Sequence, residues 1–143
     1  MVHPSSIQTT LKLASTAVVG VGLVLALAAH PATAGITTLL ADVIFWPFDG
    51  QPTLDAPAAR LLAAISGGVM VGWGALLWMV ATRILPFDPA LAATLVRTSL
   101  IAWFAVDSTA SILAGAPLNV VLNAVFLAAF LVPLGMLAGK SPA

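Results

Sequence analysis

Four long apolar runs, separated by short polar segments rich in proline and glycine, set the pattern of this chain. From Leu13 to Ala29 the residues are Val, Leu, Ala and Gly with few polar interruptions for about 17 positions, the short end for a membrane-spanning helix, and Leu11 extends the run. Between Arg60 and Arg83 lie about 22 uncharged residues, which at 1.5 Å per residue make roughly 33 Å of helix, enough to cross a hydrocarbon core. A third run opens at Asp88-Pro89, where the carboxylate can cap free N–H groups and proline is tolerated at the first helical position. The fourth opens at Pro117, with Lys140 just past its end. Spans are therefore expected at about 11–30, 59–83, 90–114 and 117–138. Residues 1–11 are polar and predict a frayed start or a short lead-in turn.

Between the first two spans, Ile36, Leu39, Leu40 and Val43 keep the i, i+3, i+4, i+7 spacing of an amphipathic helix that is too short to cross. Phe45, Trp46 and Phe48 beside Asp42 and Asp49 suit the membrane–water boundary, where a ring has one wet and one apolar side. An interfacial helix is predicted over 36–46, and Pro47, Gly50, Pro52 and Pro57 punctuate the loop behind it. The expected fold class is all-α: a membrane four-helix bundle with a short interfacial amphipathic helix between spans one and two, forming one domain over 1–143. A competing reading makes the first run a secretory signal peptide, with Lys12 as its basic region and Ala32-Thr33-Ala34 as a cleavage site. Its apolar stretch is longer than the usual 7 to 15 residues of such a signal, which favours a retained helix.

Composition agrees with a lipid environment. The chain is 61% hydrophobic and only 7% charged, and so few charged side chains cannot cover a soluble globule of 143 residues. No cysteine is present, which excludes disulfides, thiolate metal sites and a catalytic thiol. Zero net charge and the absence of a basic run argue against a nucleic-acid partner. With four spans, Lys12, Arg83, Arg97 and Lys140 fall on one side and Arg60 faces Asp42, Asp49 and Asp55 on the other, so both termini are expected in the cytoplasm.

Ala64, Gly68 and Gly72 fall four apart in span two, a ridge of small residues that lets another backbone approach closely and should be buried against a partner. Trp73 and Trp78 could fill the space beside the ridge, and Trp73, near mid-membrane, reads as a packing or pocket residue.

The most unusual residue is Asp107, the one acid that no loop claims. If spans three and four are antiparallel, equal depth requires positions summing to about 231, which pairs Asp107 with Asn123 and Ser111 with Asn119. Residues four apart share a helix face, so one rotation of each helix turns all four inward. Arg60 enters span two from the same side as Asp107 and is the expected counter-ion; a protonated Asp107 bonded to Asn123 is the alternative. Two roles stay open for the cluster of Arg60, Asp107, Ser111, Asn119 and Asn123: a buried staple, or a proton or ligand site.

Other chemistry finds no support. His3 and His30 are the only histidines and there is no glutamate, so no metal site, triad or carboxylate pair can be assembled, and no cofactor is expected. The run Arg60 to Gly68, the Gly72-Trp73-Gly74 motif and the Asp107 hairpin resemble small bacterial four-helix membrane families, including DoxX-like proteins, over roughly Ile36 to Gly139. The resemblance implies a four-helix bundle in a bacterial inner membrane and brings no activity with it. The expected function is a non-enzymatic accessory bundle that associates with itself or with a larger membrane complex. The alternative is a small carrier or binder of a lipid-like or weakly polar ligand, proton-coupled through Asp107, in a pocket of Trp73, Trp103, Asp107 and Asn123.

Overall fold

A computed structural model describes residues 4–138 of the chain. The fold is all-helical: α1 (Pro4–Ala26, continued by a 3-10 turn Leu27–Ala29), α2 (Gly35–Phe45), α3 (Pro57–Met79, continued by a π turn Val80–Ile84), α4 (Pro89–Leu113) and α5 (Pro117–Ala138). Four of these helices are long and apolar enough to cross a membrane: Ser5–Ala29, Pro57–Ile84, Pro89–Leu113 and Pro117–Met136. The short α2 lies between the first and second of them. Lys140, placed by the charge pattern beside the fourth span, and His3 lie outside the described residues.

α1 occupies the middle of the arrangement, against α3 on one flank and α5 on the other, while α4 packs along α5 and against the π turn. The buried apolar cluster collects at one end. It comprises Ile7, Leu11, Ala14 and Val18 of α1, Leu77 to Leu85 around the π turn, Ala92 to Leu100 of α4, and Phe130 and Leu134 of α5. We call this the core end and the opposite one the α2 end.

The first turns correct the expectation of a frayed lead. Helix begins at Pro4, with Ile7 and Leu11 only 1% and 2% exposed. Residues 7, 11, 14 and 18 form one stripe at helical spacing, and Ser15, buried on the same side, satisfies its hydroxyl on the Leu11 carbonyl at 2.8 Å. Thr9 and Thr10 satisfy their hydroxyls on the carbonyls of Ser5 and Ser6, four residues back. Gln8 is tied to the π turn, where Leu85 N–H goes to the Val80 carbonyl. The residue five beyond Ala81 is Pro86, which has no N–H to give, and the Gln8 amide donates to the Ala81 carbonyl instead at 3.0 Å.

α1 and α3 meet through glycine. A Cβ at Gly22 would lie 2.7 Å from the Gly67 carbonyl oxygen and 2.8 Å from Val71 N, and one at Gly74 would lie 2.7 Å from Val19 Cγ2. The two backbones therefore touch, as small residues allow in membrane helices. Gly68 and Gly72 of the expected ridge take no part: both are exposed and open space surrounds each. α3 carries two glycine faces, and α1 closes on the one that holds Gly67 and Gly74.

The turns follow local rules. Asp88 Oδ1 accepts the Leu91 N–H at 2.9 Å ahead of Pro89, the N-cap arrangement expected for α4. α4 stops at Gly115, whose φ of +76° suits a residue without Cβ; Ala116 N–H bonds the Ser111 carbonyl and Gly115 N–H that of Ile112, the paired closure of a Schellman turn. Pro117 then starts α5, and Arg97 of α4 reaches the α5 C-terminal turn by donating to the Leu134 carbonyl at 3.1 Å.

α2 is inverted relative to a helix of a soluble protein. Thr37 and Asp42 are buried, with Thr37 Oγ1 bonded to the Val24 carbonyl at 2.7 Å, whereas Ile36, Leu39 and Val43 are exposed. Those apolar residues, with Leu40 and with Ala17, Gly20, Val21 and Val24 of α1, line a groove of about 470 Å³. The Asp42 carboxylate accepts the N–H groups of Asp49 and Gly50 and so organises the loop behind the helix.

Candidate functional site

The antiparallel turn at Gly115–Pro117 brings the last two turns of α4 against the first two of α5, and the polar residues of both helices meet across that seam. Asp107 Oδ2 accepts from Asn119 Nδ2 at 2.9 Å and from Asn123 Nδ2 at 2.6 Å. Each asparagine uses its second amide hydrogen on a serine, Asn119 on Ser111 Oγ at 2.8 Å and Asn123 on Ser108 Oγ at 3.2 Å. Ser111 Oγ in turn donates to the Asp107 carbonyl at 2.7 Å. Asp107, Ser111, Asn119 and Asn123 are thus brought together as the depth rule requires.

Ser108 is the member that the sequence reading missed. Its position and that of Asn123 also satisfy the depth sum of about 231. The Asp107 and Ser111 pair, four apart, hid it, because Ser108 sits about 100° further round α4. The seam is wide enough for Asn123 to donate to both Asp107 and Ser108.

Arg60 does not join the cluster. Its guanidinium donates from Nη1 to the carbonyls of Leu54 at 2.9 Å and Asp55 at 2.6 Å, closing the loop ahead of α3. It stands in the first turn of a helix that begins at Pro57, and side chains on a helix lean toward its N-terminus. The loop carbonyls lie in that direction. The counter-ion expected for Asp107 is therefore replaced by two neutral amides.

The carboxylate is spent unevenly. Oδ2 takes both asparagine hydrogens and Oδ1 takes none. Among the described residues no buried side-chain oxygen lacks a partner, so Oδ1 lies at the surface of the seam. Asp107 is half-buried, while Ser108, Ser111 and Asn123 are buried.

Trp73 and Trp103 also meet, with ring centroids 5.4 Å apart and planes inclined at 47°, a tilted aromatic pair that bridges α3 and α4. Both rings pack at the edge of the apolar cluster. His30 is exposed and accepts the Ala32 N–H on Nδ1, a turn contact. No group of three or more metal-binding side chains occurs among the described residues. No protein-family model, curated protein or solved structure matches the chain.

Proposed function

We propose that the chain is a small multi-pass protein of the bacterial inner membrane, with both termini in the cytoplasm, acting as a non-enzymatic accessory bundle that associates with a second copy or a larger membrane assembly. The observation that carries this reading is the uncovered second glycine face of α3. Gly68 and Gly72 are exposed with nothing around them, while the chain's own close crossing uses Gly67 and Gly74. In a bilayer, where apolar contact alone does not drive helices together, such a face favours close approach of another helix. The seam around Asp107 supports the same reading, because its hydrogen bonds are made within the chain and hold α4 and α5 in register. The cytoplasmic orientation rests on Lys12, Arg83 and Arg97 gathering toward the core end, where Lys12 lies 4.9 Å from the Trp78 ring and Arg97 bonds Leu134.

The absence of native cysteine makes the test direct. Single Gly68→Cys and Gly72→Cys variants in native membranes should give disulfide-linked pairs with each other or with a partner protein. Gly20→Cys, which also faces open space, is the control on α1. A chain that stays monomeric in gentle detergent and crosslinks at neither α3 position would remove the support for association through this face.

A second reading, a small binder or carrier, has its own observation: Asp107 accepts both asparagine amides on Oδ2 and none on Oδ1, and Trp103 of the aromatic pair stands one helical turn before it on α4.

A further inference from the structure

α2 engages its polar side chains away from one face. Thr37 Oγ1 donates to the Val24 carbonyl at 2.7 Å, Thr38 Oγ1 donates to the Ala34 carbonyl at 3.1 Å, and the Asp42 carboxylate accepts the N–H groups of Asp49 and Gly50. What is left is the stripe Ile36, Leu39, Leu40 and Val43, which shares its groove of about 470 Å³ with a matching stripe of α1 that starts at Ala17 and ends at Val24. Each stripe keeps the i, i+3, i+4, i+7 spacing of one helix face, so two apolar walls, each about 10 Å long at 1.5 Å per residue, border the same space. No lining side chain carries a donor or an acceptor.

That chemistry restricts the occupant. A polar group entering the groove gives up water and finds no partner, and water itself needs polar neighbours that the walls lack. Size argues against a helix. With a diameter of about 10–12 Å, a helix as long as the walls fills roughly 800–1,200 Å³, well beyond the groove. A second copy seated there gains a footprint on the order of 100 Å², where a stable association needs about 800 Å² per partner. A slender hydrocarbon chain meets neither limit, and the groove falls within the roughly 300–1,000 Å³ of small-molecule sites. The α1 wall belongs to the helix Ser5–Ala29, long and apolar enough to cross a membrane, so in a bilayer the groove opens on acyl chains. At Gly20 an added Cβ would meet nothing within 4 Å, and a chain can lie directly on the α1 backbone there.

We infer that the α1–α2 groove is a binding site for one acyl chain of a membrane phospholipid, recognised by its hydrocarbon and not by its headgroup. This rests on the membrane reading and is independent of association through Gly68 and Gly72. The chain supplies dispersion contacts to two walls at once, which a flat helix face cannot offer.

The probe is a phosphatidylcholine whose palmitoyl chain ends in a diazirine, at trace level in phosphatidylcholine vesicles that hold the purified full chain. After photolysis, adducts are mapped by peptide mass spectrometry. They should concentrate on residues 17–24 and 36–43, about fivefold or more above those around Val106 of α4 and Val125 of α5. Exposure alone predicts the reverse, since Val106 and Val125 are 72% and 64% exposed and Leu39 and Val43 are 53% and 40%. Gly20→Phe fills the groove from α1 and should remove the excess, whereas Gly68→Phe, which projects into open space on α3, should keep it. Should Gly20→Phe fail to fold, Leu39→Trp fills the groove from α2 and decides the matter. A phosphatidylglycerol probe should give the same pattern. Even labelling of all exposed helices, an excess that survives in the folded Gly20→Phe or Leu39→Trp chain, or one that depends on the headgroup, overturns the site. Disulfide-linked pairs at Gly20→Cys would put a helix in the groove and overturn it as well. Adducts on no helix at all would remove the membrane reading together with the site.

Discussion

The α1–α3 and α4–α5 pairs are held by opposite means. α1 and α3 come together because side chains are missing: Gly22, Gly67 and Gly74 let backbone rest on backbone. α4 and α5 come together because polar side chains are present, with Asp107, Ser108 and Ser111 bonded across to Asn119 and Asn123. The first contact depends on shape and tolerates nothing added. The second depends on donors and acceptors, and within it each bond is worth only about 0.6 kcal/mol, to a maximum of roughly 1.7. For helices that span a bilayer, which supplies little hydrophobic drive between them, close packing and polar bonding are the two means left, and the two helix pairs here show one each.

The largest effect is expected where the comparison is sharpest. Gly67→Leu places a side chain where even a Cβ would collide with the α1 backbone, whereas Gly68→Leu, one residue on, meets open space. Reversible unfolding in mixed detergent should show a loss of about 3 kcal/mol or more for Gly67→Leu and almost none for Gly68→Leu. Equal losses would mean that the two glycine faces do not differ.

At the polar seam the expected change is smaller. Asn123→Leu removes the donor to both Asp107 and Ser108 and should cost about 1 to 2 kcal/mol in the same assay. Asn119→Leu should cost less, since Asn119 is the less buried of the two. A seam that tolerated both changes without loss would not be what holds α4 to α5.

The smallest effect tests the placement of Arg60. Because its guanidinium serves the Leu54 and Asp55 carbonyls, Arg60→Ala should cost about 1 kcal/mol or less. In a double-mutant cycle with Asp107→Asn the two changes should add within about 0.5 kcal/mol. Coupling well above that would restore the ion pair that the charge pattern suggested.

Much of the seam was legible in the chain because helix geometry is regular. Asp107 with Asn123 and Ser111 with Asn119 follow from depth and face alone once the turn at Gly115 is placed. Arg60 was misassigned because a long side chain reaches several acceptors, and which one it takes depends on where the preceding loop runs. Residues 4–11 were misjudged because their polar residues outnumber the apolar ones, although Ile7 and Leu11 already continue the stripe of Ala14 and Val18. Their burial needs the π turn of α3 and the start of α4 as neighbours.

The amino-acid pattern by itself determined the four long apolar helices, the short helix between the first two, the proline and aspartate starts and the depth match of the polar residues in α4 and α5. These are properties of one helix or of two joined by a tight turn, where 1.5 Å per residue and about 100° per residue leave little choice. Only the tertiary structure decided which glycine face of α3 would meet α1, that α2 turns Thr37 and Asp42 inward, and that Gln8 answers the Ala81 carbonyl. Each of those choices joins elements distant in the chain, and a helix with two usable faces carries no local signal for which neighbour will arrive.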